Sequence, residues 1–184
     1  MVQVNGNNSV NAMKGAGKRP QTNQTQNTTK SNNSVFVQED NQYVRKNDNG
    51  QVVESYEVNE KGFVTEHRSF EYDENGNEVR YSRDADGDGK ADFIRTSEYD
   101  ENGNKVKVSI DMDGDGKVDD IDTGEYDENG RLVKKTSDYS ADGKPDIISY
   151  PVYNEEGRCT HVGNDYNDDG TIDQFEKRPP HFGL

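Results

Sequence analysis

The sequence has few of the residues from which a thick hydrophobic core is built. Only 27% of its 184 residues are hydrophobic, and it contains no tryptophan. Too little apolar surface is available to offset the chain entropy of an ordinary globular enzyme. No segment approaches the roughly 18 apolar residues of a membrane-spanning helix, so we expect none. Cys159 is the single cysteine, which excludes a disulfide within the chain.

Basic residues are scarce relative to acidic ones. The chain has 37 Asp and Glu against 22 Lys and Arg, which gives a net charge of −15. Residues 1–35 contain no acid and carry +4, whereas residues 71–178 carry −16. Because an acidic surface repels phosphate, we expect neither nucleic acid nor an anionic membrane as a partner. The acid is concentrated in one block, so its arrangement there is the informative feature.

Residues 1–35 form a polar segment rich in Asn, Gln, Ser and Thr. This composition cannot build a core, so we predict a disordered tail. The segment lacks the apolar stretch and cleavage site of a Sec-type signal peptide. Two interpretations stay open. One is an export signal of a non-Sec route, which would place the protein outside the cell or on its surface, and the other is a plain flexible tail.

Two interleaved motifs recur at a step of 27 residues. The motif E-Y-D-E-N-G-N and its variants begin at Glu71, Glu98, Glu125 and Val152. An Asp-rich motif of the type D-x-D-x-D-G-K-x-D keeps the same step and begins at Asp84, Asp111, Asp138 and Asp165. Two motifs in phase over this length define four repeats, which span 71–97, 98–124, 125–151 and 152–178.

The glycine spacing predicts the fold class. Glycines that end the two motifs alternate at 13 and 14 residues, which leaves about eight residues between turns, a strand length. Asn-Gly pairs such as Asn75–Gly76 are typical of hairpins because both residues tolerate a positive φ. We therefore predict an all-β, repetitive antiparallel meander of about ten strands, two in each repeat, with the Asp-rich loops along one edge. Residues 36–70 are predicted to be degenerate hairpins, and 179–184 a C-terminal tail.

Apolar residues at equivalent repeat positions predict the core. Alternation places Val106, Val108 and Ile110 on one face, and Val133 continues that face in the third repeat. Two stripes of residues at equivalent positions are also predicted to be core, and they consist of Ile94, Ile121, Ile148 and Phe175, and of Tyr99, Tyr126 and Tyr153.

The Asp-rich loops predict bound calcium. Closely spaced carboxylates repel one another, and a hard divalent cation reverses the sign of that energy. Calcium takes about six to eight oxygen ligands, which D-x-D-x-D-G supplies from alternate positions. The glycine allows a sharp bend, the next residue presents its carbonyl, and a carboxylate two residues later completes the site. Magnesium is disfavoured, since it prefers fewer protein ligands and keeps its waters.

About four calcium sites are predicted, each with side-chain ligands and one backbone carbonyl. The first uses Asp84, Asp86, Asp88, the carbonyl of Lys90 and Asp92. The second uses Asp111, Asp113, Asp115, the carbonyl of Lys117 and Asp119. The third uses Asp138, Ser140, Asp142, the carbonyl of Lys144 and Asp146, and is predicted to be weakest because Ser140 removes a charge. The fourth uses Asp165, Asn167, Asp169, the carbonyl of Thr171, Asp173 and Glu176. Asp120 and Asp168 are expected to be solvated neighbours.

These loops resemble EF-hand calcium loops. The first three are more similar to the shorter D-x-D-x-D-G-x-x-D loops of integrin-type, thrombospondin and dockerin repeats, because position twelve is Arg95, Asp122 or Ser149 in place of a bidentate Glu. Nearby prolines such as Pro145 and Pro151 argue against flanking helices. The E-Y-D-E-N-G-N hairpins resemble the YD-type repeats of large bacterial surface and toxin proteins. The alternative is that Asp-Gly simply serves as turn chemistry.

No catalytic constellation is evident, so we expect no enzyme. His67, His161 and His181 are isolated, and Cys159 has no base at motif spacing. The sequence predicts a non-catalytic calcium-binding repeat protein, secreted or at the cell surface, whose folding calcium completes. Two alternatives remain. One is an effector or adhesin that binds a partner protein through the sheet face, and the other is an accessory domain of a toxin or hydrolase system.

Overall fold

The structure, a computed structural model, describes residues 36–39, 42–177 and 183–184. The described residues form twelve strands. They are β1 (Val37–Glu39), β2 (Gln42–Lys46), β3 (Val52–Val58), β4 (Val64–Tyr72), β5 (Glu78–Asp84), β6 (Phe93–Tyr99), β7 (Lys105–Asp111), β8 (Asp120–Tyr126), β9 (Leu132–Asp138), β10 (Ile147–Tyr153), β11 (Cys159–Asp165) and β12 (Gln174–Lys177).

The strands pair in sequence order as one antiparallel meander sheet. The predicted all-β fold class is confirmed, with twelve strands where turn spacing predicted about ten. The part of the chain that the structure describes contains no helix long and apolar enough to cross a membrane. The predicted disordered tail lies outside the described residues, as does most of the predicted C-terminal tail.

The E-Y-D-E-N-G-N motifs close the hairpins through a capped turn. The carboxylate of Asp73 accepts hydrogen bonds from the amides of Asn75 and Asn77, at 2.9 and 2.8 Å. The Gly76 amide donates to the Asp73 carbonyl, and Gly76 has a φ of 86°. Asp100, Asp127 and Asn154 cap the later turns in the same way.

The sequence prediction for these turns was wrong in one detail. Among the described residues, only Ala141 and Asp168 combine a side chain with a positive φ, so Asn75 does not. The hydrogen bonds are those of a type I turn followed by a left-handed glycine, which forms a bulge. The ladder between β6 and β7 accordingly shifts register between Glu98 and Tyr99.

One compact unit comprises the described residues up to Phe70 together with Ser82–Asp92. Its core is a small cluster of Phe36, Tyr43, Tyr56 and Val64. His67 stacks on Tyr56, with ring centroids 4.3 Å apart. Burial raises the pKa of Tyr56 to about 12 and lowers the pKa of His67 below its ordinary value. This unit is therefore held by aromatic packing.

The second unit comprises Glu71–Tyr81 and Phe93–Leu184, and its apolar core is thin. Its buried hydrophobic side chains are distributed singly over β7, β9, β10 and β11, as Val108, Leu132, Ile148 and Val162. Of the predicted isoleucine stripe, Ile148 is buried and Ile94 and Ile121 are half-buried. Each 27-residue step from β7 onward contains two strands, one capped turn and one Asp-rich loop.

Two predicted core residues of this unit are exposed. Phe175 is 65% exposed because it lies on β12, the last strand of the sheet, opposite Gly163. Val133 is 40% exposed. The ladder between β8 and β9 shifts register so that Tyr126 faces Leu132, and Val133 is the residue that the bulge skips. Leu132 therefore takes the inward position predicted for Val133.

Tyrosine hydroxyls connect successive hairpins of the second unit. Tyr99 donates to the carbonyl of Glu78 at 3.0 Å, and Tyr126 donates to the carbonyl of Lys105 at 2.8 Å. Tyr153 donates to the carbonyl of Leu132 at 2.7 Å. The paired residues of β7 and β8 run only from Lys107 to Ile110, so Tyr126 bonds a carbonyl beyond the end of that ladder. The tyrosines of this stripe therefore stabilise the sheet through hydrogen bonds as well as through burial of their rings.

We predict that Tyr126→Phe lowers the free energy of unfolding by about 1 kcal/mol, because the Lys105 carbonyl loses its donor while the ring stays in place. Thermal or urea unfolding followed by circular dichroism measures the change. Tyr139→Phe is the matched control, since the Tyr139 side chain is 56% exposed, and it should unfold as the wild type does. Equal stability of all three proteins would show that the hydroxyl contributes nothing.

Candidate metal centres

Each Asp-rich loop is anchored by a buried carboxylate at the end of a strand. Asp84, Asp111, Asp138 and Asp165 are the last residues of β5, β7, β9 and β11, and all four are buried. One oxygen of each accepts a hydrogen bond from the glycine amide five residues later, at 2.8–2.9 Å. The loop backbone therefore wraps around the first carboxylate.

The ninth residue closes each loop. The amide of Asp92 donates to the carbonyl of Arg83 at 2.8 Å, and its carboxylate accepts from the amide of Ala85 at 2.7 Å. The closing residues of the other three loops, Asp119, Asp146 and Asp173, make the equivalent pair of bonds. One oxygen of each predicted closing ligand is thus committed to the loop backbone.

The first two loops each bring three carboxylates together. Oxygens of Asp84, Asp86 and Asp88 lie within 4.8 Å of one another, and those of Asp111, Asp113 and Asp115 do the same. In both triplets the first residue is buried and the other two are exposed. This is the arrangement that the D-x-D-x-D spacing predicted, and it can hold a metal ion.

In the second loop the ammonium group of Lys117 forms an ion pair with the carboxylate of Asp115. Lys117 Nζ lies 2.6 Å from Asp115 Oδ2, and this hydrogen bond lowers the pKa of Asp115 below its ordinary value. Lys117 was predicted to contribute its backbone carbonyl, and its amide donates to Asp115 Oδ1 at 2.8 Å. An incoming cation would compete with the Lys117 side chain for Asp115.

The third and fourth loops keep the anchoring and closing hydrogen bonds of the first two but differ from them between these points. The amides of Ser140 and Asn167 donate to the first carboxylate, whereas in the first two loops the amides of Gly87 and Gly114 do so. The Asp142 amide donates to Asp138 at 3.2 Å, and the amide of Lys144 donates to Asp142 at 2.9 Å. In the fourth loop the Asp169 amide donates to Asn167, and the amide of Thr171 donates to Asp169. Ser140 and Asn167 stand where the first two loops have a second Asp, so neither loop presents a carboxylate triplet from its first, third and fifth positions.

Glu176, predicted as a bidentate ligand, lies on β12 opposite Val162 and is half-buried.

All four loops require a left-handed residue at their fourth position. Gly87 and Gly114 supply it with φ of 74° and 72°, whereas Ala141 and Asp168 adopt 49° and 53°. At Gly87 a side chain is also excluded sterically, since a Cβ would lie 2.7 Å from the carbonyl oxygen of Val64. A non-glycine residue in this conformation costs roughly 1–2 kcal/mol, less for Asp. The third and fourth loops are therefore strained where the first two are not.

We predict that Ala141→Gly raises the free energy of unfolding by about 1 kcal/mol by relieving this strain. Asp168→Gly should give a smaller gain, because Asp tolerates the left-handed conformation better than Ala. Chemical denaturation of both variants with a chelator present measures the difference. A loss of stability in Ala141→Gly would contradict the strain at this loop.

Asp120 was expected to be solvated, and that expectation was wrong. Asp120 is only 8% exposed, and its Oδ1 has no hydrogen-bond partner among the described residues. Burial, and then the nearby carboxylate of Asp122, raise the pKa of Asp120 above its ordinary value. Asp122 is itself paired with Lys135 at 2.8 Å and accepts from Ser137 at 2.5 Å. The equivalent positions of the other repeats hold Phe93, Ile147 and the exposed Gln174, so the repeat gave only a mixed signal for the burial of Asp120.

The raised pKa of Asp120 predicts a pH-dependent cost. The folded state favours the protonated acid, so stability is lost as pH rises from the unfolded pKa of about 4 through the folded pKa. Asp120→Asn should therefore be about 1 kcal/mol more stable than the wild type at pH 7.5 with chelator, and the gain should vanish at pH 3.5.

Urea unfolding at both pH values tests this prediction. Asp122→Asn is the matched control, and it should be less stable than the wild type at pH 7.5 because it loses the Lys135 ion pair. If Asp120→Asn were as much more stable than the wild type at pH 3.5 as at pH 7.5, the stability gain would not come from removing an ionised carboxylate.

No family model matches the chain, and no curated protein matches it. Solved structures that are similar include a Photorhabdus luminescens Tc holotoxin pore carrying a mutation in TccC3. The identity is 14%, the match covers 67% of this chain and 7% of that chain, and the TM-score is 0.32. A crystal structure of TcdB2-TccC3-TEV is also similar, at 16% identity, 63% and 8% coverage and a TM-score of 0.25. The chain spans less than a tenth of the length of either.

Proposed function

We propose that this chain is a non-catalytic calcium-binding repeat protein whose folding is completed by the ion. The observation that carries this proposal is the pair of carboxylate triplets, each with ligand oxygens within 4.8 Å of one another. In each triplet the first carboxylate, that of Asp84 or Asp111, is buried and held by loop amides. Oxygen-only ligands on a tight loop suit calcium.

Electrostatics supports a cation at these positions. Two unit charges 4.8 Å apart repel by about 1 kcal/mol in water and by about 3.5 kcal/mol at an effective dielectric constant of about 20. The first triplet contains three like-charge pairs that oppose closure of its loop, whereas in the second triplet the Lys117 ammonium offsets the charge of Asp115. A divalent ion at the centre converts repulsion into attraction, and the binding free energy then adds to the free energy of folding.

The four loops should differ in affinity. The first two have three carboxylates and a glycine at the left-handed fourth position. The fourth loop replaces one carboxylate with Asn167, whose amide oxygen remains a ligand. The third offers only the hydroxyl of Ser140 and carries the strain of Ala141, so it should be the weakest site.

Dependence on calcium suits a protein that works outside the cell. Calcium is scarce in the cytosol and abundant outside it, so the chain would stay loosely folded during export by a non-Sec route and become rigid afterwards. A role in binding a partner protein is favoured by exposed apolar side chains on strands of the second unit. Val152 and Phe175 are 42% and 65% exposed.

We predict that calcium raises the melting temperature and alters the circular dichroism spectrum, and that a chelator reverses both changes. Isothermal calorimetry should give about four sites, with Asp88→Ala and Asp115→Ala each removing one. Glu101→Ala, on a capped turn, is the matched control and should leave the stoichiometry unchanged. An identical spectrum and melting temperature with and without calcium would refute the proposal, and an unchanged stoichiometry in Asp115→Ala would refute that ligand.

A further inference from the structure

Gly124 in β8 has no side chain, and the space that a side chain would take is filled by Leu184. Gly124 is buried, and its φ lies outside the left-handed region, so backbone conformation does not require a glycine there. A Cβ at this position would collide with Leu184 Cδ1 and would lie 2.9 Å from Leu132 Cδ1. The equivalent residues of the neighbouring repeats are Ser97 and Pro151. The glycine is therefore explained by what occupies the space above it.

The gap has well-supported walls, formed by Tyr126 and Leu132. These two residues face each other across β8 and β9, and Leu132 is buried. The Tyr126 hydroxyl donates to the Lys105 carbonyl, and the Leu132 carbonyl accepts from Tyr153. Aromatic and aliphatic walls over a bare glycine backbone fit one branched aliphatic side chain. We name Gly124, Tyr126 and Leu132 the leucine seat.

The position of Leu184 is compatible with the length of chain that leads to it. Leu184 follows Lys177, the end of β12, by seven residues, which can span at most about 25 Å. β12 and β8 are four strand spacings apart in the sheet order, or about 19 Å. Seven residues are therefore enough to connect β12 with the seat.

We propose that the leucine seat is an intramolecular binding site for the side chain of Leu184, and that this contact clasps Leu184 onto β8 and β9. The contact joins Leu184 to β8 and β9, which lie away from the edge strand β12 in the sheet order. It uses no carboxylate and no ion, and it stands independently of calcium binding.

A double-mutant cycle in the full-length protein tests the clasp. Leu184→Ala should lower the melting temperature by several degrees, since it empties the seat. Gly124→Ala should also lower it, because the new methyl group displaces Leu184. In the Leu184→Ala background the same Gly124→Ala change should cost clearly less, since the closest obstacle is gone and only Leu132 Cδ1, at 2.9 Å, still has to move. Gly183→Ala is the control and should have no effect, as no atom lies within 4 Å of a Cβ there.

A second measurement covers the case in which Gly124→Ala does not fold. In wild-type protein the Leu184 methyl protons should be shifted from their random-coil positions by the nearby Tyr126 ring and show nuclear Overhauser effects to the Leu132 methyls. Additive melting shifts, or Leu184 methyls at random-coil positions, would overturn the proposal. Overhauser effects seen only between differently labelled copies in a mixed sample would also overturn it, since the contact would then join two chains.

Discussion

A buried carboxylate surrounded by backbone amides is the constraint on which each Asp-rich loop depends. The last residue of the strand is a buried carboxylate, and amides of the loop that wraps around it donate to its oxygens. This arrangement separates the shape of the loop from its chemistry. The anchoring and closing hydrogen bonds recur in all four loops, while the side chains at the third and fifth positions determine which loops bring three carboxylates together.

At the opposite ends of the strands, side-chain oxygens again accept hydrogen bonds from backbone amides, but the turns there are shorter than the Asp-rich loops. There a carboxylate or amide oxygen caps two amides of a tight turn, as Asp73 does. Side-chain oxygens therefore organise the backbone at both ends of the second unit's hairpins, and tyrosine hydroxyls connect one hairpin to the next. A sheet built in this way needs little apolar material, which reconciles an ordered fold with a composition typical of disorder.

The repeats made the strands predictable, because glycines at fixed intervals mark where an extended chain must turn. The alternate spacing of acidic residues likewise predicted the two carboxylate triplets that begin at Asp84 and Asp111. Features that depend on neighbouring strands were not predictable. The burial of Asp120 follows from its position in the sheet, the exchange of Val133 for Leu132 follows from a bulge, and the leucine seat follows from a contact between residues far apart in the sequence.

The tyrosine hydrogen bonds have a consequence for how such a chain can change length. Each joins residues 21 positions apart, and the step between successive bonds is 27. A duplicated or deleted block of 27 residues would present each hydroxyl with an equivalent carbonyl, so the junction would be regenerated automatically. Gain or loss of any other number of residues within a strand would misalign them. The fold therefore accommodates growth by whole repeats and resists change in smaller increments.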